Sequence, residues 1–360
     1  MMEEACCRRG GLLVVGIATI DVINTIPAYP SEDSKIRVTE SRKCRGGNGT
    51  NTLVVASQIG AFEALHWMGT LVDPATNSDA KFIADELVHG YGIDLSRCEI
   101  VPSGAMPTSY IMASQATGTR TIFHHRDLPD LSVDHFNMHA ANSLGDEMAW
   151  IHFECREAAT LASMLQRARE ASSAILSVEV EAPRHRWDLV QPALEAVDFA
   201  FVGQSFVESL GFHDATSFLR ALASDPRLSN GHASPVTSTL RGVICPWGAK
   251  GAFVLDDALS ITHVPVASID HVVDSVGAGD SFIAATISAL HVGRLSLVEA
   301  VDVGCRVARL KCLQLGFHFD DADIIDDIRQ WVSAGSSSKH ATAENETCPT
   351  SSTKRNPSGR

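Results

Sequence analysis

The sequence predicts an α/β fold: a central, mostly parallel sheet with helices on both faces, joined to a small antiparallel β lid. Three observations carry this. Short apolar runs alternate along the chain with longer segments of helical periodicity, the order expected when each strand is followed by a crossover helix. Two stretches rich in β-branched residues break that alternation. The 360 residues are 45% hydrophobic, enough to fill one large α/β core.

Residues 12–17 form the first apolar run, ending at Gly16-Ile17, and suit a strand buried on both faces. Asp21 interrupts the apolar start and no small-residue cleavage site follows, so a buried strand is expected there rather than a secretory leader. Further strands are expected at 64–69, 149–153, 174–180, 199–202 and 242–245, with helices such as 79–89 and 157–170 between them. The exceptions come next to the first strand and in mid-chain. Residues 21–39 hold Val22-Ile23-Asn24-Thr25-Ile26, a proline-bearing turn and Lys35-Ile36-Arg37-Val38-Thr39, while 109–114 and 120–125 flank a turn containing Gly118. These read as antiparallel strands of a second sheet, with lid strands within 21–45 and 108–126 that form a flap over the strand ends. Residues 224–240, rich in Ser, Pro, Asn and Gly, are expected to be a surface loop. One folded domain is set at 11–332, after a short N-terminal segment at 1–10 and before a disordered tail at 333–360, whose composition supplies almost no apolar surface.

A formal net charge of -14 argues against nucleic acid or an anionic membrane as partner, since no local basic stripe offsets it. The nine cysteines form no CxxC pair, as expected of reduced thiols in a cytoplasmic protein. No apolar run reaches transmembrane length.

Two motifs carry chemistry. Asp274-Ser275-Val276-Gly277-Ala278-Gly279-Asp280 leads directly into an apolar helical run of small residues. With a helix starting near Gly277, the first amides lack intrahelical acceptors and form an anion site together with the helix dipole. Asp280 on the first turn is placed to take a proton from an attacking hydroxyl while those amides stabilise a phosphoryl group. Alone, the same residues make an ordinary glycine-rich helix start. Arg45-Gly46-Gly47-Asn48-Gly49-Thr50-Asn51 precedes another helix. Its glycines permit close backbone approach, and its asparagine amides offer both donors and acceptors, as a polyhydroxylated ligand requires.

In this order and separation the two motifs resemble the paired signatures of the ribokinase-like, or pfkB, carbohydrate kinases, and the resemblance covers residues 11–320. Within the family the sequence is most similar to the ketohexokinase subgroup, through strings such as Asp21-Val22-Ile23, Tyr29-Pro30-Ser31-Glu32-Asp33, Arg120-Thr121-Ile122, Ser177-Val178-Glu179-Val180-Glu181 and Gly304-Cys305. The resemblance implies a ribokinase-like fold and ATP-dependent phosphorylation of a ketohexose, D-fructose to fructose 1-phosphate. It implies Asp280 as catalytic base, with Gly277, Ala278 and Gly279 as anion hole. Asp21, Gly47, Asn48 and Asn51 become sugar contacts, and Asp33 reaches the neighbouring subunit's site in a homodimer clasped through the lid. Arg120, Trp247, Gly248, Gly251 and Cys305 border the nucleotide, although core packing also accounts for Cys305. Asp274 helps hold a monovalent cation, K⁺, through its backbone. Mg²⁺ accompanies ATP, yet the family's Asn-x-x-Glu magnesium motif is missing from 201–206. Glu179 and Glu181 are the candidates to act instead, through water.

Other classes fit less well. A dinucleotide-binding dehydrogenase needs GxGxxG after the first strand, where this chain has one glycine, and the Walker GxxxxGK[ST] is absent. Relatives acting on ribose, adenosine, fructose 6-phosphate or a sulfonated sugar remain open, as does a silent sugar-binding protein that keeps the fold.

Overall fold

The computed structural model describes residues 10–145, 147–183, 185–224 and 239–334. Its centre is a nine-stranded sheet in the order Ile261–Val264, Ala252–Asp256, Gly242–Pro246, Phe199–Val202, Ile175–Val180, Met148–Glu154, Gly11–Val15, Leu65–Met68, Ile93–Asp94. Every pairing from Gly242–Pro246 to Ile93–Asp94 is parallel. The remaining two strands add an antiparallel edge hairpin.

The first strand is buried at all five positions, and its side chains divide by the two-residue period of a strand. Leu12 and Val14 join one core with Leu53, Phe282 and Val301, whereas Leu13 and Val15 join the other with Phe136, Leu161 and Leu194. Helices therefore cover both faces. Gly11–Val15 lies between the next strand of this sheet in the chain, Leu65–Met68, and the much later Met148–Glu154. Such a switch in strand order opens a crevice beyond the carboxyl ends of the strands.

The lid is a second sheet, ordered Glu40–Gly46, Thr19–Ile26, Thr108–Ser114, Arg120–His125. It is mixed rather than antiparallel, because Thr19–Ile26 and Thr108–Ser114 pair in parallel. The expected strand at 35–39 is also corrected. Thr19 opposite Gly46 and Thr25 opposite Glu40 set the register, so the partner strand begins at residue 40. Ile36 and Val38 sit half-exposed in the connection; their β-branched character had no pairing partner to act on. The last helix, Ala322–Ala334, carries the fold two residues past the expected boundary at 332. The remainder of the expected tail, 335–360, and most of the expected loop, 225–238, lie outside the described residues.

Candidate active site

The helix Ala278–Val292 begins behind Gly277, which has φ 77° and no side-chain cap. That left-handed backbone favours glycine, and a Cβ there would run into the Phe317 ring. The position admits no other residue without displacing that ring. At Gly279, by contrast, a Cβ would meet nothing within 4 Å; the space belongs to the crevice. The Ala278 amide makes a long 3.4 Å bond to Ser275 O, so the first turn still depends on an outside acceptor. The second motif opens the helix Asn48–Ile59 from Gly47, φ 103°, whose missing Cβ lets the chain pass against the Ile17 carbonyl.

Between these helix starts and the lid lies a cavity of about 730 Å³ lined by Asp21, Gly47, Asn48, Asn51, Arg120, Gly277, Gly279 and Asp280 among others. Residues distant in sequence thus meet at one place. Asn51 Nδ2 donates to Asp280 Oδ2 at 2.7 Å, while Arg45 donates to Asn51 Oδ1 at 2.7 Å and to Thr50 Oγ1 at 2.9 Å. Both ends of the Asn51 amide are committed within the protein, so Asn51 chiefly aims the Asp280 carboxylate. Arg45, unassigned by sequence reasoning, is buried and holds that chain in place. Asp280 is itself buried, and desolvation pushes its pKa up to about 8, with Glu181 and Glu154 adding repulsion and Asn51 opposing it.

Glu154, Glu179 and Glu181 come from the ends of two adjacent strands. Glu154 Oε2 accepts the Ile17 amide at 2.9 Å and Oε1 accepts Arg156 at 3.2 Å. Asn48 Nδ2 donates to both Glu179 (3.2 Å) and Glu181 (3.0 Å). Burial and the Asp280 charge drive Glu179 well above the usual carboxylate range. Five carboxylates line the cavity against two arginines, Arg120 and Arg156, so a polyanion entering it needs a cation in company. Among the described residues no three His, Cys, Asp or Glu side chains converge on a direct metal site. The acidic cluster fits Mg²⁺ held through water and phosphate oxygens rather than by an all-protein cage.

Asp21 is buried on the lid strand Thr19–Ile26, and Thr19 Oγ1 donates to its Oδ1 at 2.9 Å. Burial raises its pKa against the hydrogen bonds from Thr19 and Ser109. Ser109 in turn contacts His124 Nδ1 at 3.1 Å, a lid pair that also lines the cavity. Arg120 reaches back to Ser275 Oγ at 2.8 Å. Beside the Gly277–Asp280 turn a second, more apolar cleft of about 530 Å³ is lined by Gly248, Gly251, Val266, Ala278, Phe282 and Cys305. The Cys305 thiol is pushed up to about 12 by burial, which makes it an apolar wall and not a nucleophile. Three expected site residues do not line either cavity of their own chain. Trp247 is sunk in the core, Asp33 is exposed in the lid connection at φ 56°, and Asp274 is engaged by Lys311 behind the turn.

This doubly wound sheet, with a flap over its strand ends and a carboxylate on an uncapped glycine-flanked helix start, is that of a chain which belongs to the pfkB family of carbohydrate kinases, as its likeness to a relative along most of its length shows. The model of the pfkB family carbohydrate kinases matches residues 212–322. Mouse ketohexokinase is 33% identical over 317 residues, which cover 85% of this chain and 97% of that protein. In fold the chain is similar to Arabidopsis thaliana ribokinase complexed with ribose and ATP, with a TM-score of 0.70 at 18% identity, covering 90% and 99% of the two chains. The Giardia lamblia ribokinase aligns with a TM-score of 0.69 at 15% identity, covering 90% and 97%.

Proposed function

We propose that this kinase transfers the γ-phosphoryl group of ATP to the C1 hydroxyl of a ketohexose, D-fructose being the preferred substrate. The carrying observation is Asp280, buried on the first turn behind Gly277 and Gly279, aimed by Asn51 into a cavity that also holds Asp21 and Asn48. The likeness to mouse ketohexokinase at 33% identity supports the ketohexose. The C1 hydroxyl proton passes to Asp280 as the new O–P bond forms and the bond to the β-phosphate oxygen breaks, leaving ADP. First-turn amides stabilise the charge on the phosphoryl oxygens. Glu179 and Glu181 are the residues that would hold, through water, the Mg²⁺ accompanying ATP, which would supply positive charge to the phosphates. Asp21 and Asn48 orient the sugar, the apolar cleft with Gly248, Gly251 and Cys305 takes the base of the nucleotide, and Arg120 faces the phosphates. The lid excludes water.

Turnover and KM over a sugar panel test this reading. Fructose is expected to give the highest kcat/KM, because a site built to pair particular hydroxyls rejects analogues that leave its polar groups unpaired. Adenosine or fructose 6-phosphate winning the comparison overturns the substrate and leaves the family standing. The exposed lid residues Tyr110 and Phe123, cross-strand neighbours on the face away from the cavity, support a homodimer clasped through this sheet, with Asp33 directed at the partner's site. Phe123→Asp should lower the sedimentation mass to that of one chain, whereas a wild-type monomer at micromolar concentration would end the proposal.

A further inference from the structure

The turn that forms the anion hole is held from behind by a buried ammonium. Lys311, in the last turn of the helix Leu297–Cys312, has a fully buried side chain. Its Nζ donates to the backbone oxygen of Asp274 at 3.0 Å and to that of Gln314 at 3.5 Å, lies 3.3 Å from Asp274 Oδ2, and sits 5.5 Å from the centre of the Phe317 ring. Two carbonyl oxygens, a carboxylate oxygen and an aromatic face around one positive charge make the donor set of a dehydrated monovalent cation. Here the cation is covalently tethered.

The cage and the anion hole are one packed unit. Asp274 Oδ1 accepts the Val276 amide at 2.9 Å and Oδ2 accepts the Gly316 amide at 3.4 Å, which folds the chain into the approach to Gly277. Phe317, the cage wall, is also the ring that fills the space beside Gly277. Residues 273 and 274 are stitched through their amides to the Cys312 carbonyl. Arg42 adds a second cation, 3.5 Å from Asp274 Oδ2. Desolvation pulls the Lys311 pKa down and Asp274 restores part of it, as expected of a charge kept buried by its partner.

The resemblance to the family implies K⁺ at Asp274, held by its backbone oxygen. That oxygen already accepts from the Lys311 ammonium, and the charges of Lys311 and Arg42 at Asp274 repel a further cation, so the residues present do not fit a second cation there. We propose that the Lys311 ammonium stands in for the monovalent cation, making phosphoryl transfer independent of K⁺, with Lys311 acting as a positioning residue for the turn that carries Gly277 and Asp280. This rests on the Gly277–Asp280 turn being the phosphoryl site.

The test compares turnover in KCl, NaCl and tetramethylammonium chloride at equal ionic strength, using the best sugar of the panel. Wild type should turn over equally in all three. Lys311→Ala, which vacates the cage, should lose about ten- to a hundredfold in kcat in tetramethylammonium and regain much of it in KCl or NH₄Cl. Lys311→Met, which fills the cage with apolar bulk, should lose activity without rescue. Melting temperature supplies a readout free of turnover: KCl should raise that of Lys311→Ala relative to tetramethylammonium and leave wild type unmoved. Several-fold activation of wild type by K⁺ would overturn the inference, as would a folded Lys311→Ala enzyme equally impaired in every salt. Should the variants not fold, the wild-type salt comparison decides alone. Should no sugar be phosphorylated, the ATP reading fails while the melting comparison still decides the cation.

Discussion

The Gly277–Asp280 turn and the lid strand that faces it are built on opposite terms. Asp280 is 6% exposed and heads a helix whose residues are buried from Asp280 through Ala289. All six residues of Arg120–His125 are exposed, with Phe123 at 60%. The turn is over-determined by core packing, by the Asn51 and Arg45 hydrogen bonds and by Phe317. The strand rests on backbone pairing to one neighbour and on side-chain bonds such as those from Arg120 to Ser275 and between His124 and Ser109. Groups that must meet a transition state within a fraction of an ångström sit where the structure cannot relax. Groups that must admit substrate sit where opening costs little burial.

The largest expected effect of breaking this contrast is at Asp280. Asp280→Asn should lower kcat by about 10² to 10⁴ and leave sugar and ATP affinities, measured by calorimetry, within roughly tenfold of wild type. It should also melt higher at alkaline pH. Burial raises the folded-state pKa of Asp280 above its unfolded value, so the folded state binds the extra proton and wild-type stability falls as pH rises between the two values. The stability gain of the Asn variant should therefore vanish below the ordinary carboxylate range and be largest once Asp280 is ionised in the folded protein. Near-normal turnover would move the base to another carboxylate, Asp21 first.

Gly277→Ala tests the same rigidity through the backbone. Strain at φ 77° and displacement of Phe317 should destabilise the fold by roughly 2–4 kcal/mol in denaturant titration and reduce kcat about tenfold or more. Unchanged stability would show that the Phe317 side of the turn yields freely.

Asn51→Leu removes the hydrogen bond that lowers the Asp280 pKa. The acid limb of kcat/KM, which reports the free enzyme, should lie above the ordinary carboxylate range in wild type and move to still higher pH in the variant. The limb of kcat should lie lower than that of kcat/KM, because the cation arriving with ATP offsets the carboxylate repulsion. An unmoved limb in Asn51→Leu would separate Asn51 from the base. The smallest effect is expected on the lid: Arg120→Ala should raise KM for ATP a few-fold, about 1 kcal/mol, with a melting temperature close to wild type.

What the sequence determined was local. The start of the helix Ala278–Val292 was legible because it is encoded by consecutive residues, Gly277 through Asp280, and the strand segments because an apolar run is its own signal. The lid hairpin at 108–125 was readable from its two runs and Gly118. Tertiary structure decided everything that depends on strand order and on what an extended segment meets. Asn51 and Asp280 lie 229 residues apart in the chain, and nothing in either motif announces that one aims the other. Glu154, Glu179 and Glu181 form a cluster because two strands are neighbours in the sheet, not because of any spacing. Ile36 and Val38 have the composition of a strand, but the register opposite Thr19–Ile26 began later. Trp247 follows a strand at a family motif and still turns into the core. Lys311 looks like one more helix-end cation, favourably placed against the dipole, until the fold buries it against Asp274. Local propensity fixes which residues lie on one turn, whereas a buried charge acquires its meaning from the partner that the fold delivers.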